Sequence, residues 1–167
     1  MSAFDKVKPL PDKDEKGLVY MTEKYASEIS EFNGYYAQPK LNQTLHLHYK
    51  GFLKIQNLES FVNVKTLYLE NNCIFKISNL SHMKNLTCLY LHNNLIEKME
   101  NLDENINLNS LNLSGNKIKV ITGLKNLKNL SYLYMDKNAI DDVAGLEGLL
   151  ECPTINVVNI KTSKIFN

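Results

Sequence analysis

Hydrophobic and polar positions along the chain form a pattern that recurs every 22 residues. Its most regular part is a Leu-x-Leu pair, followed at fixed distances by an asparagine, an isoleucine and further apolar residues. The pairs begin at Leu45, Leu67, Leu89, Leu111 and Leu133. Consecutive matches at one period predict a repeat architecture, in which no repeat can bury its apolar face alone and stacking closes the core.

Each repeat is predicted to be one short strand and a return path. The leucines of the Leu-x-Leu pair alternate with polar residues, so they point to the same face of a strand. The downstream apolar residues line the return, and 22 residues leave little room for a full helix there. We therefore expect an α/β repeat solenoid, with a curved parallel sheet on one side and short 3₁₀ or irregular turns on the convex side.

A periodic asparagine follows the first leucine of four repeats by five residues. These asparagines are Asn72, Asn94, Asn116 and Asn138. A buried amide must have its donors and its acceptor satisfied. We therefore expect the four side chains to form a structural ladder that bonds backbone groups of adjacent loops.

The two ends of the array, predicted to span residues 42–167, depart from the pattern. Lys50 replaces the ladder asparagine in the first repeat. A sixth strand is predicted within residues 157–160, after a linker at 149–153 that should form a longer convex turn or a short helix. The sixth ladder position is Ser163. We expect about six repeats, of which the last is incomplete and uncapped.

The segment before the repeats, residues 21–41, predicts a capping helix and a bend. Thr22 is a suitable N-cap, because its hydroxyl can accept from a free amide of the first turn. The apolar residues of one helical face are Tyr25, Ile29 and Phe32. Gly34 marks the helix end, and the helix should cover the open end of the first repeat. Residues 1–20, which mix both charges and contain two prolines, predict a mobile tail.

Composition and charge narrow the classes of function. The 22 asparagines and 25 leucines reflect the repeat, while 19 Lys+Arg against 18 Asp+Glu give no global attraction to nucleic acid or membrane. No apolar run is long enough for a transmembrane helix or a signal peptide. The three cysteines form no C-x-x-C pair, so we expect neither disulfides nor a cysteine metal site. These features favour a cytoplasmic protein.

The polar and aromatic positions around each Leu-x-Leu pair are predicted to line the concave face. The candidate protein-binding residues are His46, His48, Tyr68, Glu70, Tyr90, His92, Asn112, Tyr134 and Asp136. Tyrosine is enriched at interfaces because it offers a large area with a polar tip. The three tyrosines are therefore interpreted as a protein-contact row, with ordinary exposed sheet residues as the alternative.

The same face offers two arrangements that resemble chemical sites. His48, Glu70 and His92 form a possible metal row, but the two histidines stand about 9.6 Å apart at the backbone, a long reach for one ion. His92, Glu70 and Ser114 could be drawn as a triad, but nothing marks a strained nucleophile or an oxyanion hole. We expect no metal, no cofactor and no enzymatic activity.

The consensus from Leu45 to about Ile165 resembles the leucine-rich repeat family in its short subclass. Within residues 21–72, Lys50-Gly51-Phe52 and Leu67-Tyr68-Leu69-Glu70-x-Asn72 are similar to the amino-terminal region of the dynein axonemal assembly factor 1 family. That resemblance implies a leucine-rich-repeat solenoid that acts as a non-enzymatic cytoplasmic scaffold for preassembly of axonemal dynein arms in cilia and flagella. Its implied partners are dynein chains or other assembly factors.

Two other functions share the short repeat subclass. One is a regulatory subunit of protein phosphatase 1, and the other is a ribonucleoprotein-associated leucine-rich-repeat adaptor that binds a partner protein. In each case we expect a monomer with a protein partner and without a nucleic acid or membrane partner.

Overall fold

The protein is a parallel solenoid of six short strands. The computed structural model describes residues 7–161. The strands are β1 (Thr44–His46), β2 (Thr66–Tyr68), β3 (Cys88–Tyr90), β4 (Ser110–Asn112), β5 (Tyr132–Tyr134) and β6 (Val157–Asn159). They pair in chain order, all parallel, and the described part has one α-helix, α1 (Glu23–Phe32), and two 3₁₀ helices, Pro39–Leu41 and Ala144–Glu151. The predicted fold class is therefore confirmed.

The strands stack without any slip in register. Leu45 lies beside Leu67, Leu67 beside Leu89, and the series continues to Leu133. These leucines are fully buried, and so are their Leu-x-Leu partners, because both point into the solenoid. One hydrophobic core therefore runs from α1 through all the central turns.

The last turn is less regular than the others. Val143 follows the inward Ile121 by 22 residues, so the pattern predicts that it also points inward. Val143 is instead 70 % exposed, and it caps a 3₁₀ helix that begins at the next residue. In β6, Val158 pairs with the buried Leu133 but is itself 40 % exposed. The predicted ladder position Ser163, and the completeness of the last repeat, lie outside the described residues.

The predicted capping helix covers the first turn. Thr22 accepts a hydrogen bond from the Tyr25 N–H at 3.1 Å and donates one to Asp12 at 2.8 Å. Tyr25, Ala26 and Ile29 are buried, and the Tyr25 ring packs edge-on against Phe52 with the centroids 6.0 Å apart. The helix therefore closes the core at this end of the array.

The segment before α1 folds back on itself. Lys13 and Val19 form an antiparallel bridge, and the Asp14 carboxylate accepts hydrogen bonds from the Lys16 and Leu18 N–H groups. The predicted mobility of residues 1–20 stays a prediction, and residues 1–6 lie outside the described part.

Candidate functional site

The loops after β2, β3, β4 and β5 are each fixed to the preceding turn by an asparagine side chain. The Asn94 amide donates to the carbonyls of Leu69 and Leu91, both at 3.0 Å, and its oxygen accepts from the Ile74 N–H at 3.0 Å. Asn72, Asn116 and Asn138 make equivalent bonds. This network satisfies polar groups in the solenoid interior and holds neighbouring strands in register, which aligns the side chains of the concave face.

Two further asparagine rows escaped the sequence analysis. Asn57, Asn79 and Asn101 adopt left-handed φ angles of 57°, 56° and 61° on the return path, and each donates to a carbonyl of the preceding layer. A second, exposed row donates in the same way. Its members are Asn63, Asn85, Asn107 and Asn129. The recurrence of asparagine at 22-residue steps, with its tolerance for the left-handed region, is the signal that could have revealed them.

The concave face consists of three rows of side chains. The middle row joins His46, Tyr68, Tyr90, Asn112, Tyr134 and Asn159, which are strand partners. The row after it joins His48, Glu70, His92, Ser114, Asp136 and Lys161, since the backbone pairing continues past the strands. The structure adds a row at the first strand position. It consists of Thr44, Thr66, Cys88, Ser110, Tyr132 and Val157.

The middle row carries a stack of aromatic rings at its N-terminal end. The His46 and Tyr68 rings lie 4.6 Å apart and 5° from parallel, and the Tyr68 and Tyr90 rings lie 4.8 Å apart and 4° from parallel. Tyr35, from the bend after α1, extends the stack with a centroid distance of 5.6 Å to His46. No sequence signal places Tyr35 here, because its position depends on how the bend packs on β1.

Tyr134 stands apart from this stack. Asn112 separates it from Tyr90 in the middle row. The side-chain oxygen of Asn112 accepts a hydrogen bond from the Ser114 N–H at 3.1 Å, so this side chain bonds to the backbone two residues further along the chain. The structure therefore brings Tyr68 and Tyr90 together, and leaves Tyr134 as a separate aromatic group near the C-terminal end of the face.

Few charged side chains lie beside the ring stack, and the side chains of His48 and Glu70 are partly buried there. His48 Nδ1 lies 3.8 Å from Glu70 Oε1, and three buried atoms, His48 Nδ1, Glu70 Oε2 and His92 Nδ1, have no hydrogen-bond partner among the described residues. Burial, reinforced by His48 and opposed by Glu70, lowers the pKa of His46. Burial is also the main cause that raises the pKa of Tyr90. Both shifts favour the uncharged form of these two rings.

The two arrangements on this face that resemble chemical sites both lie among the described residues. Residues 7–161 contain no group of three or more His, Cys, Asp or Glu side chains placed to hold a metal ion. Ser114, which the triad considered above would include, bonds through its backbone to Asn93, Asn112 and Asn116. Within the same range, no helix has the length and apolar character needed to cross a bilayer.

Comparison with known proteins identifies the repeats. The family "Leucine Rich repeats (2 copies)" matches residues 62–104 and again 106–148, which together make up just over half of the chain.

Two curated relatives share one segment with the chain. A dynein axonemal assembly factor 1 homolog from Drosophila erecta is 42% identical over 53 residues, which is 32% of this chain and 4% of that protein. Dynein axonemal assembly factor 1 from Rattus norvegicus is 39% identical over 54 residues, which is 32% of this chain and 8% of that protein. The shared segment thus spans less than a tenth of either relative.

Solved structures resemble the chain over most of its length. In the Drosophila melanogaster SNF/U2A' complex, one chain matches with a TM-score of 0.67 and 25% identity, covering 88% of this chain and 87% of that one. Internalin C2 from Listeria monocytogenes matches with a TM-score of 0.64 and 28% identity, covering 83% of this chain and 57% of that one.

Proposed function

Because this chain belongs to the leucine-rich repeat family, we propose that it is a non-enzymatic scaffold whose concave face binds a protein partner. Solenoids bind through such extended concave surfaces. The proposed contact residues centre on the stacked His46, Tyr68 and Tyr90, with Glu70 and His92 beside them. Stacked rings have few rotamers left to freeze on binding, so they suit an energetic centre of an interface.

The remaining contacts would come from the two ends of the face. Tyr134 and Asp136 lie at one end, and Tyr35 extends the stack at the other. From β1 to β5 there are four strand spacings, about 19 Å in all. A standard interface is larger than a strip of that length, so loops or α1 should add contact area.

We further propose that the scaffold acts in the assembly of axonemal dynein. The observation that carries this proposal is the similarity of about a third of the chain to proteins named dynein axonemal assembly factor 1. On this proposal the partner is a dynein chain or another assembly factor, the chain works as a monomer, and it acts in the cytoplasm of cells that build cilia or flagella.

The test is a double substitution, Tyr68→Ala with Tyr90→Ala, in tagged protein added to a lysate of ciliated cells. Loss of two central interface tyrosines should lower recovery of dynein heavy or intermediate chains at least about thirtyfold, the value of a single hot-spot contact of ~2 kcal/mol. The fold should survive, because both rings lie outside the leucine core. An unchanged strand content by circular dichroism would establish this.

Two control variants separate the concave face from other surfaces. Phe75 is 47 % exposed in the loop between β2 and β3, so Phe75→Ala removes an exposed ring elsewhere and should leave recovery unchanged. If recovery survives the double tyrosine change but fails when Lys76→Glu and Lys98→Glu are combined, the concave assignment is wrong. Recovery of only the phosphatase catalytic subunit or a ribonucleoprotein component would contradict the dynein role and leave the concave face in place.

A further inference from the structure

A basic cleft lies at the N-terminal end of the concave face. It encloses about 280 Å³ and is lined by Lys8, Asn33, Tyr35, His46, His48 and Lys50, together with the buried Ile29. The cleft therefore joins three parts of the chain: the segment before α1, the end of α1 with its bend, and β1 with its following loop. It meets the aromatic stack directly, since Tyr35 and His46 belong to both.

Lys50 occupies this cleft because of its place in the repeat. It stands at the ladder position of the first turn, where an amide would have no preceding turn to bond. Its backbone N–H is still held by the Asn72 side-chain oxygen at 3.0 Å, so the backbone geometry of the ladder is kept. The side chain is thus released from the structural role of its counterparts and lines the cleft instead.

Two cationic side chains line the cleft, and within residues 7–161 no carboxylate lines it. Among the described residues that line it, Lys8 and Lys50 are cationic, and none is an aspartate or a glutamate. Burial and the neighbouring Lys8 ammonium lower the pKa of Lys50, so the two cations oppose each other in a partly desolvated place. Glu70 approaches His48 but does not line the cleft. A bound anion would offset this repulsion.

We propose that this cleft binds a phosphate group on a phosphorylated side chain of a protein partner. Two ammonium groups match the charge of a phosphate monoester, about −1.5 to −2 at neutral pH, better than the single charge of a carboxylate. The His48 imidazole and the Asn33 amide supply further donors for its three oxygens, while the Tyr35 hydroxyl and His46 Nε2 are hydrogen-bonded to each other at 3.3 Å. The partner segment would then continue from the cleft over the aromatic stack.

The neighbouring stack favours a protein over a single-stranded nucleic acid. Nucleic acid bases bind on open ring faces. Here the faces of His46, Tyr68 and Tyr90 cover one another at 4.6 and 4.8 Å, so the stack presents mainly ring edges. The formal net charge of the chain is only +1, which gives little general attraction to a polyanion.

The first measurement uses inorganic phosphate with the full chain at pH 7. We expect saturable chemical-shift changes at the ring protons of His46 and His48 in NMR spectra. Lys50→Met and Lys8→Met should each weaken the apparent affinity at least about tenfold, because each removes one of two close cations. Lys54→Met is the matched control, since Lys54 is an exposed lysine that does not line the cleft. It should change the affinity less than twofold.

The second measurement uses three acetylated heptapeptides of Gly and Ser whose central residue is phosphoserine, Glu or Ser. The phosphoserine peptide should bind more tightly than the Glu peptide, and the Ser peptide should not bind. Absence of shifts with phosphate, shifts unchanged by both Lys8→Met and Lys50→Met, or equal affinity for the Glu peptide would overturn the proposal. If an oligouridine bound more tightly than the phosphoserine peptide, the inference that the phosphate belongs to a protein partner would be overturned.

This inference rests on the proposed function only for the presence of a protein partner. Lys8→Met alters a residue outside the repeats, so a weaker interaction with that variant cannot come from a misfolded solenoid. Retained phosphoserine binding with no recovery of dynein chains would contradict the dynein role alone. Loss of phosphoserine binding with normal recovery of dynein chains would contradict the cleft alone.

Discussion

The side-chain amide of Asn94 donates two hydrogen bonds and accepts one inside the solenoid. Asn94→Ala removes these bonds and leaves buried backbone groups without partners, so we expect the free energy of unfolding to fall by about 1–3 kcal/mol. Asn116→Ala should behave alike, because its amide makes the same set of bonds. Urea denaturation provides the measurement.

Asn129→Ala is the matched control for these two variants. Asn129 is exposed and donates a single hydrogen bond, to the Ile106 carbonyl. Its loss should change the free energy of unfolding by no more than about 0.5 kcal/mol. Equal denaturation midpoints for all three variants and the parent chain would show that the ladder contributes nothing to stability.

His46 makes stability depend on pH. Its pKa in the folded chain lies below the ordinary value of 6.5, so between those two pKa values the unfolded chain binds more protons. The contribution of His46 to the free energy of unfolding is therefore fully present above pH 6.5 and is lost as the pH falls through the pKa of His46 in the folded chain. We expect the thermal midpoint to drop between pH 7.5 and pH 5.5.

His46→Phe tests the origin of this drop, because it keeps a planar ring in the stack and removes the titrating group. The pH-dependent loss should be smaller in this variant. The groups around His46, which are Tyr35, His48, Tyr68 and Glu70, stay in place. An identical pH profile in parent and variant would assign the drop to other residues.

Individual residues also show where sequence reasoning reaches its limit. The position of Asn94 follows from its spacing, because periodicity determines which side chains enter the solenoid. The role of Lys50 does not follow from spacing, since it depends on how the chain before α1 folds back to place Lys8 beside it. Tyr35 is similar, because packing of the bend, and no local pattern, brings its ring to His46.

At the scale of elements, α1 owes its place to the apolar face that it lays over the first turn. Tyr25 is a buried residue of that face, yet its hydroxyl has no hydrogen-bond partner among the described residues. Burial raises the pKa of Tyr25 to about 12. Tyr25→Phe should therefore be neutral or should raise the free energy of unfolding by up to about 1 kcal/mol.

Ile29→Ala provides the contrast on the same face of α1. Ile29 is buried in the core, so deleting its side chain should cost about 2–5 kcal/mol by leaving a cavity. Urea denaturation of both variants compares the two effects. A loss above 1 kcal/mol for Tyr25→Phe would mean that the hydroxyl has a partner after all.

At the scale of the whole molecule, the two ends of the described array differ in how well their backbone amides are protected from hydrogen exchange. The first turn is closed by α1, whereas β6 exposes all three of its residues, including Val158 at an inward position. Edges with few buried contacts open at low free energy. Amide hydrogen exchange should therefore be at least about tenfold faster in residues 154–161 than in β3.

Protein concentration is the control variable for this exchange experiment. Monomeric chains should give the same pattern at all concentrations. Protection of 154–161 that equals that of β3 would contradict the assignment of a weak end. If such protection grew with concentration, self-association through β6 would explain it.

The architecture as a whole could be read from the sequence because one period specifies it. The 22-residue spacing predicts the strands, their parallel order and the inward leucines, and all of these are found. Prediction failed at Val143, where a 3₁₀ helix replaces the regular return. It also missed the concave row that begins at Thr44, because the sequence pattern does not show how far each strand extends before its first leucine.

The asparagine rows have a consequence for how such a protein can change its length. Between neighbouring repeats, each of their bonds joins groups 20 to 25 positions apart in the chain. Excision of residues 89–110 would join two halves whose facing surfaces already match, and tandem duplication of the same stretch would do so as well. A coding sequence for one turn is therefore an interchangeable unit. Each duplication would widen the concave face by one strand spacing, about 4.8 Å, without rebuilding either end.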